Sequence, residues 1–98
     1  MNMVTVLAHL RANRGEGEAV EQILTEIVSA ARAFDGCIDV RVVRELDDSD
    51  QLVIIEKWRD RADFEKFAAV GAEHGPAAKL VKHLQKEPAI RFFEDANI

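Results

Sequence analysis

Glu56 and Trp58 stand two residues apart in Glu56-Lys57-Trp58. If that segment is a strand, both side chains share one face, because strand side chains alternate with a period of two. A carboxylate turned toward packed helices needs a partner or a raised pKa, and perturbed carboxylates cluster at functional sites. Phe64 and Phe67 follow at helical spacing, and His74 stands just before Gly75-Pro76, a helix break. An interrupted helix leaves room for a ligand, and an apolar cavity with a few polar groups is the default binding site. These residues point to a pocket between helices and sheet. Each also has a plainer reading: Trp58 as a core aromatic, Glu56 as a carboxylate reaching water or a backbone N–H, and His74 as a solvated turn residue.

Other chemistries lack their signatures. Arg14-Gly15-Glu16-Gly17-Glu18 has no Gly-x-x-x-x-Gly-Lys pattern, and neither Gly-x-Gly-x-x-Gly nor Gly-x-Ser-x-Gly occurs. The three histidines, His9, His74 and His83, fall on separate elements without metal-ligand spacing, so no metal site is expected. His83 reads as a surface residue and His9 as an interface residue. Cys37 is the only cysteine, which excludes an internal disulfide and a thiolate metal cluster. Asp47-Asp48-Ser49-Asp50 is not spaced as a calcium loop and reads as a solvated turn.

Composition narrows the class. Thirteen Lys and Arg against 18 Asp and Glu give a net charge of −5, which argues against nucleic acid and against an anionic membrane surface. Hydrophobic residues make up 48% of the 98 and charged residues 32%, enough for a core. No long apolar run suggests a membrane span, and Met1-Asn2-Met3-Val4 does not open like a secretory signal. A single domain over residues 1–98 in the cytoplasm is expected.

The elements that must position the pocket alternate. Residues 3–12 read as a strand, with Val4, Val6, Ala8 and Leu10 on one face and Thr5, Leu7, His9 and Arg11 on the other. Residues 16–34 read as a helix, because Val20, Ile23, Leu24, Ile27, Val28, Ala31 and Phe34 recur at three- and four-residue spacing. Glu16 and Glu18 fall in its first turn, and Asp35-Gly36 stops it. Residues 37–45 and 51–58 form a hairpin around the acidic turn. Asp60 reads as the cap of a second helix carrying Phe64, Phe67, Ala68 and Gly71 inward. Pro76 opens another helical segment with Ala77, Leu80, Val81 and Leu84 inward, which Pro88 ends. Residues 89–94 are a last strand. The order β-α-β-β-α-β predicts an α+β, ferredoxin-like fold: a four-stranded antiparallel sheet with helices on one face.

Placing Ile38, Val40, Val42, Leu52, Ile54, Ile90 and Phe92 with the first strand's valines on the helix side leaves Leu7, Val43, Val53, Ile55 and Phe93 on the other. Mixed with them are His9, Arg11, Asp39, Arg41, Lys57 and Arg91, and Cys37 alternates with Ile38. A sheet face left in water is mostly polar, so five large apolar residues there predict a symmetric homodimer through the sheet face.

The strand Val4-Thr5-Val6-Leu7-Ala8-His9-Leu10-Arg11, the Arg14-Gly15 turn, Phe34-Asp35-Gly36-Cys37, and Glu56-Lys57-Trp58 before the Asp60 helix resemble the antibiotic biosynthesis monooxygenase family. The resemblance covers nearly the whole chain and implies a dimeric α+β barrel. It also implies oxidation of an aromatic or quinol-type small molecule by O2 with neither metal nor flavin, since a deprotonated phenol or anthrone can itself pass an electron to O2. Carried over, Trp58 is a hydrogen-bond donor or stacking wall, Phe64, Phe67 and Ala8 line the substrate site, and Glu56 or His74 is the base. The chain departs from the pattern in having no Tyr, and in having Phe67 where many relatives look to have His. Those departures favour a non-oxidising binding or isomerising module as the alternative. The haem-degrading relatives are a weaker match, because Ala8 stands where they have Asn and Phe67 where they have Trp.

Overall fold

The computed structural model describes residues 3–98, except the side chain of His74; Met1 and Asn2 lie outside the described residues. Alternating burial from Val4 to Arg11 makes β1 (Val4–Arg11), with Val6, Ala8 and Leu10 buried. The apolar stripe of α1 (Gly17–Arg32) lies across it. Then come β2 (Cys37–Arg44), β3 (Gln51–Trp58), α2 (Arg61–His74), a single helical turn α3 (Ala77–Leu80), a 3-10 turn (Val81–His83) and β4 (Ala89–Phe93). The strands pair antiparallel in the order β2-β3-β1-β4, with the helices on one face. This is the ferredoxin-like arrangement expected from the element order. No described helix is long and apolar enough to cross a membrane.

The register fixes both faces of the sheet. Toward the helices, Val40, Glu56, Val6 and Phe92 form one row, and Val42, Ile54, Ala8 and Ile90 the next. On the open face, Arg41, Ile55, Leu7 and Arg91 form the central row. Asp39, Lys57, Thr5 and Phe93 flank it on one side, and Val43, Val53, His9 and Ala89 on the other. The five apolar residues expected there are all present, and Val43 and Phe93 are 38% and 40% exposed.

One part of the expected pattern shifts. A register irregularity between Cys37 and Asp39 turns Ile38 out of the ladder, so it is 51% exposed and not on the helix side. Cys37 pairs with Trp58 and packs against the core instead of joining the open face. A bulge inserts one residue and so flips the parity of what precedes it.

The turns carry more structure than their composition suggests. The Asp50 carboxylate accepts hydrogen bonds from the Gly15 and Gly17 N–H groups at 2.9 Å each, so the acidic turn caps α1 and is not merely solvated. Glu16 precedes the helix proper, and its carboxylate meets His83 Nδ1 at 2.7 Å, which makes His83 half-buried and bonded, not a free surface residue. The helical segment after Pro76 ends at His83 rather than at Pro88. Leu84 is extended and bridges to Ala12, while Gln85 N–H donates to Arg11 O at 2.9 Å. Backbone pairing with the end of β1 replaces the last helical turns.

Candidate functional site

Trp58 and Glu56 occupy the inner face of β3, a central strand. Trp58 is fully buried and Glu56 is 5% exposed. The indole Nε1–H donates to Glu56 Oε1 at 2.9 Å. Across the ladders, Glu56 lies between Val6 and Val40, which offer no polar side chain. Burial therefore pushes the Glu56 carboxyl above its ordinary value, and the bond from Trp58 opposes part of that rise.

Helix α2 is set against this strand by a polar clasp. Asp60 Oδ1 accepts from Asp63 N–H at 2.9 Å, as its capping position predicted. Arg59 donates to the Asp63 carboxylate at 2.8 Å and to Asp35 at 3.2 Å, and its backbone N–H donates to Gly36 O at 2.7 Å. The guanidinium holds the Asp63 carboxyl below the usual carboxylate range. Gly36, at φ +95°, lets the chain turn close beneath Asp63. The end of α1, the start of β2 and the start of α2 are thereby tied at one point.

From that point α2 carries its aromatic residues over the sheet. The Trp58 ring meets Phe64 with centroids 5.9 Å apart, Phe67 at 5.5 Å and Phe34 at 6.1 Å. Phe34 and Phe67 meet edge-on at 5.3 Å. Beyond this cluster lies an apolar hollow of about 310 Å³. Ala8, Leu10, Ile54 and Ile90 form its floor, Ile27 and Ala30 of α1 with Phe34 just beyond it form one wall, and Phe64, Phe67, Ala68, Val70 and Gly71 of α2 form the other. Gly75, Pro76, Ala77, Leu80 and Pro88 close the remaining side. Among the described residues, Glu56 is the one acidic or basic residue in the lining.

Glu56, Phe64, Phe67 and Ala8 thus converge on one hollow. Trp58 does not line it: the indole stands behind Phe34 and Phe67 and reaches the hollow only through Glu56. The parity that turned Trp58 inward was right, but its size and position at the strand end put it in the core. The backbone of His74 ends α2 next to the Gly75-Pro76 break, and its side chain lies outside the described residues. Phe34 and Gly71 are wall residues that the sequence reading counted only as helix stripe. Phe34 was detectable by its place before Asp35-Gly36, where the helix must end and its last aromatic turn inward.

A second, wider groove of about 750 Å³ runs between α1 and the edge strand β2. Its charged groups are already bonded: Arg44 forks onto Glu21 at 2.7 and 2.9 Å, and Arg32 donates to Val40 O at 2.9 Å. The described lining holds no buried titratable group, so the smaller hollow is the better candidate. Among the described residues, no group of three or more His, Cys, Asp or Glu is placed to hold a metal ion.

Comparison with known proteins agrees with this architecture. The sequence model for antibiotic biosynthesis monooxygenases matches residues 3–72. Search of curated proteins returns no match. Among solved structures, PA3566 from Pseudomonas aeruginosa is 28% identical, with a TM-score of 0.82 over 97% of this chain and 95% of its own. SnoaB from Streptomyces nogalater, described as a cofactor-independent oxygenase, is 17% identical with a TM-score of 0.85 over 100% and 97%. A protein from Nitrosomonas europaea reaches a TM-score of 0.88 at 10% identity over 98% and 92%. At 17% and 10% identity, the likeness is one of fold.

Proposed function

We propose that this chain, which belongs to the antibiotic biosynthesis monooxygenase family, binds a flat aromatic or quinol-type molecule in the hollow and oxidises it with O2. The observation that carries the reading is a buried carboxyl, held by an indole N–H at 2.9 Å, in a cavity of about 310 Å³ whose described lining is otherwise apolar. An apolar cavity of about 150 Å³ takes benzene, so this one suits about two fused rings. An apolar wall excludes water and strengthens every electrostatic interaction inside.

Glu56 is the base. Because its pKa is raised, its ionised form is a stronger proton acceptor than an exposed carboxylate. It takes a proton from an activated CH2 or phenolic O–H. For a CH2 substrate, the resulting anion passes one electron to O2, and the radical pair closes a C–O bond. Loss of water from the peroxide then leaves a carbonyl. Atoms balance as CH2 plus O2 giving C=O plus H2O: protonated Glu56 returns its proton to the peroxide anion and is left ionised for the next turnover. Trp58 positions Glu56 rather than touching substrate, and Phe64, Phe67 and Ala8 fix the ring plane. His74, at the helix break, is a second candidate for proton transfer.

The reading includes one functional unit over residues 1–98, working in the cytoplasm as a homodimer. Leu7, Ile55 and Val53 at the centre of the open face, rimmed by Arg41, Arg91 and Lys57, support a twofold stack of sheets. The absence of any Tyr favours a second reading, in which the same hollow binds or isomerises a small molecule without oxidation.

The test is oxygen consumption with anthrone, in the presence of a chelator and above the rate without protein. Consumption of one O2 per carbonyl formed, lost about 10²–10⁴-fold in Glu56→Gln, supports the oxidase chemistry. Saturable binding without oxygen uptake supports the second reading.

A further inference from the structure

Phe64, Phe67, Ala68 and Gly71 recur at i, i+3, i+4 and i+7 along α2, and all four line the hollow. Gly71 differs from the other described glycines in having no structural reason to be glycine. Its φ is not positive, and a Cβ built on it meets no described atom within 4 Å beyond its own stretch of helix. Gly75 is the contrast, since a Cβ there meets Gly71 Cα and O at 3.0 Å. A glycine inside a helix weakens it relative to alanine, so the fold alone would accept Ala at position 71.

We propose that Gly71 determines specificity in the hollow, its missing side chain leaving the space that the far end of an extended, two-ring ligand occupies. The ligand end nearest Glu56 carries the hydrogen-bonding group, and the end over Gly71 is apolar. Two observations set that polarity. Phe64 and Phe67 both pack against Trp58, whose indole holds Glu56, and Gly71 lies four residues beyond Phe67, about 6 Å farther along the helix axis. Gly71 O is already engaged by the Gly75 N–H at 3.0 Å, so it makes little demand on a ligand. A side chain at position 71 shortens the hollow from the apolar end and leaves the Glu56 end intact. The inference rests on the reading of the hollow as a binding site.

Calorimetric titration with 1-naphthol and phenol, on the wild-type chain and on Gly71→Ala and Gly71→Leu, tests it. The wild type binds both probes. Gly71→Leu loses affinity for 1-naphthol by at least about 10-fold and keeps phenol within about 3-fold. Gly71→Ala loses several-fold for 1-naphthol only, while its melting temperature, at fixed protein concentration, is unchanged or higher. If Gly71→Leu does not fold, Gly71→Ala decides alone. Unchanged binding of 1-naphthol by the variants, or equal losses for both probes, overturns the role of Gly71 and leaves the hollow as a binding site. A wild type that binds neither probe overturns the binding site and this inference with it.

Discussion

Replacing Glu56 with Gln removes a titrating group and keeps its shape. The amide oxygen can still accept the Trp58 N–H, now 2.9 Å from Oε1. In the wild type, burial raises the folded carboxyl above the ordinary value of 4.5. The folded state therefore binds that proton more tightly than the unfolded chain does. The advantage is fully present below the unfolded value and is lost as pH rises through the folded one. For one proton the limiting slope is about 1.4 kcal/mol per pH unit. Gln has no such slope, but its NH2 faces apolar surroundings at a cost of about 1–3 kcal/mol. The variant is thus less stable than wild type near pH 4 and closes or reverses the gap toward pH 8. Urea denaturation at half-unit pH steps, at constant protein concentration, measures the difference. Parallel curves for the two proteins would refute the reasoning, because they would mean that Glu56 titrates as if in water.

Trp58→Phe removes the donor that holds Glu56 and leaves a smaller ring. It raises the Glu56 pKa further and costs about 1–3 kcal/mol, read by carboxyl-carbon NMR titration and urea denaturation. Gly36→Ala combines φ +95° with a Cβ pressed onto the Asp63 carboxylate; it destabilises by more than about 1 kcal/mol, seen as a lower urea midpoint. Asp50→Ala frees the Gly15 and Gly17 N–H groups and costs about 1 kcal/mol by the same measurement. Ile55→Asp puts a charge beside Leu7 on the open sheet face, and sedimentation equilibrium then shows the proposed sheet-face dimer giving way to monomer at micromolar concentration.

Much of this architecture is written in spacing. The two-residue period of Val4 to Leu10, the apolar stripe of α1 and the Asp60 cap each predicted the element that formed, because local periodicity decides which face is buried. Parity failed at Ile38, where a bulge turned one residue out; a bulge depends on pairing with β3 and leaves no mark in β2 alone. Ala77, Leu80, Val81 and Leu84 have helical apolar spacing, yet from Leu84 onward pairing with Ala12 and Arg11 competes better than another turn of helix. Asp50 looked like one more solvated carboxylate, because its partners Gly15 and Gly17 are more than 30 residues away. The candidate site was half legible. Glu56 and Phe67 follow from parity and helical spacing, but whether Trp58 walls a cavity or fills the core depends on how Phe34 and Phe67 pack over it.

The account stands on a ligand seated in the hollow with its polar atom on Glu56. A crystal structure of the chain soaked with 1-naphthol tests that directly. The account predicts the naphthol ring between Phe67 and Ile54, its hydroxyl about 2.6–3.2 Å from a Glu56 carboxylate oxygen. A hollow closed by its own side chains, or naphthol seated instead in the groove between α1 and β2, would contradict it.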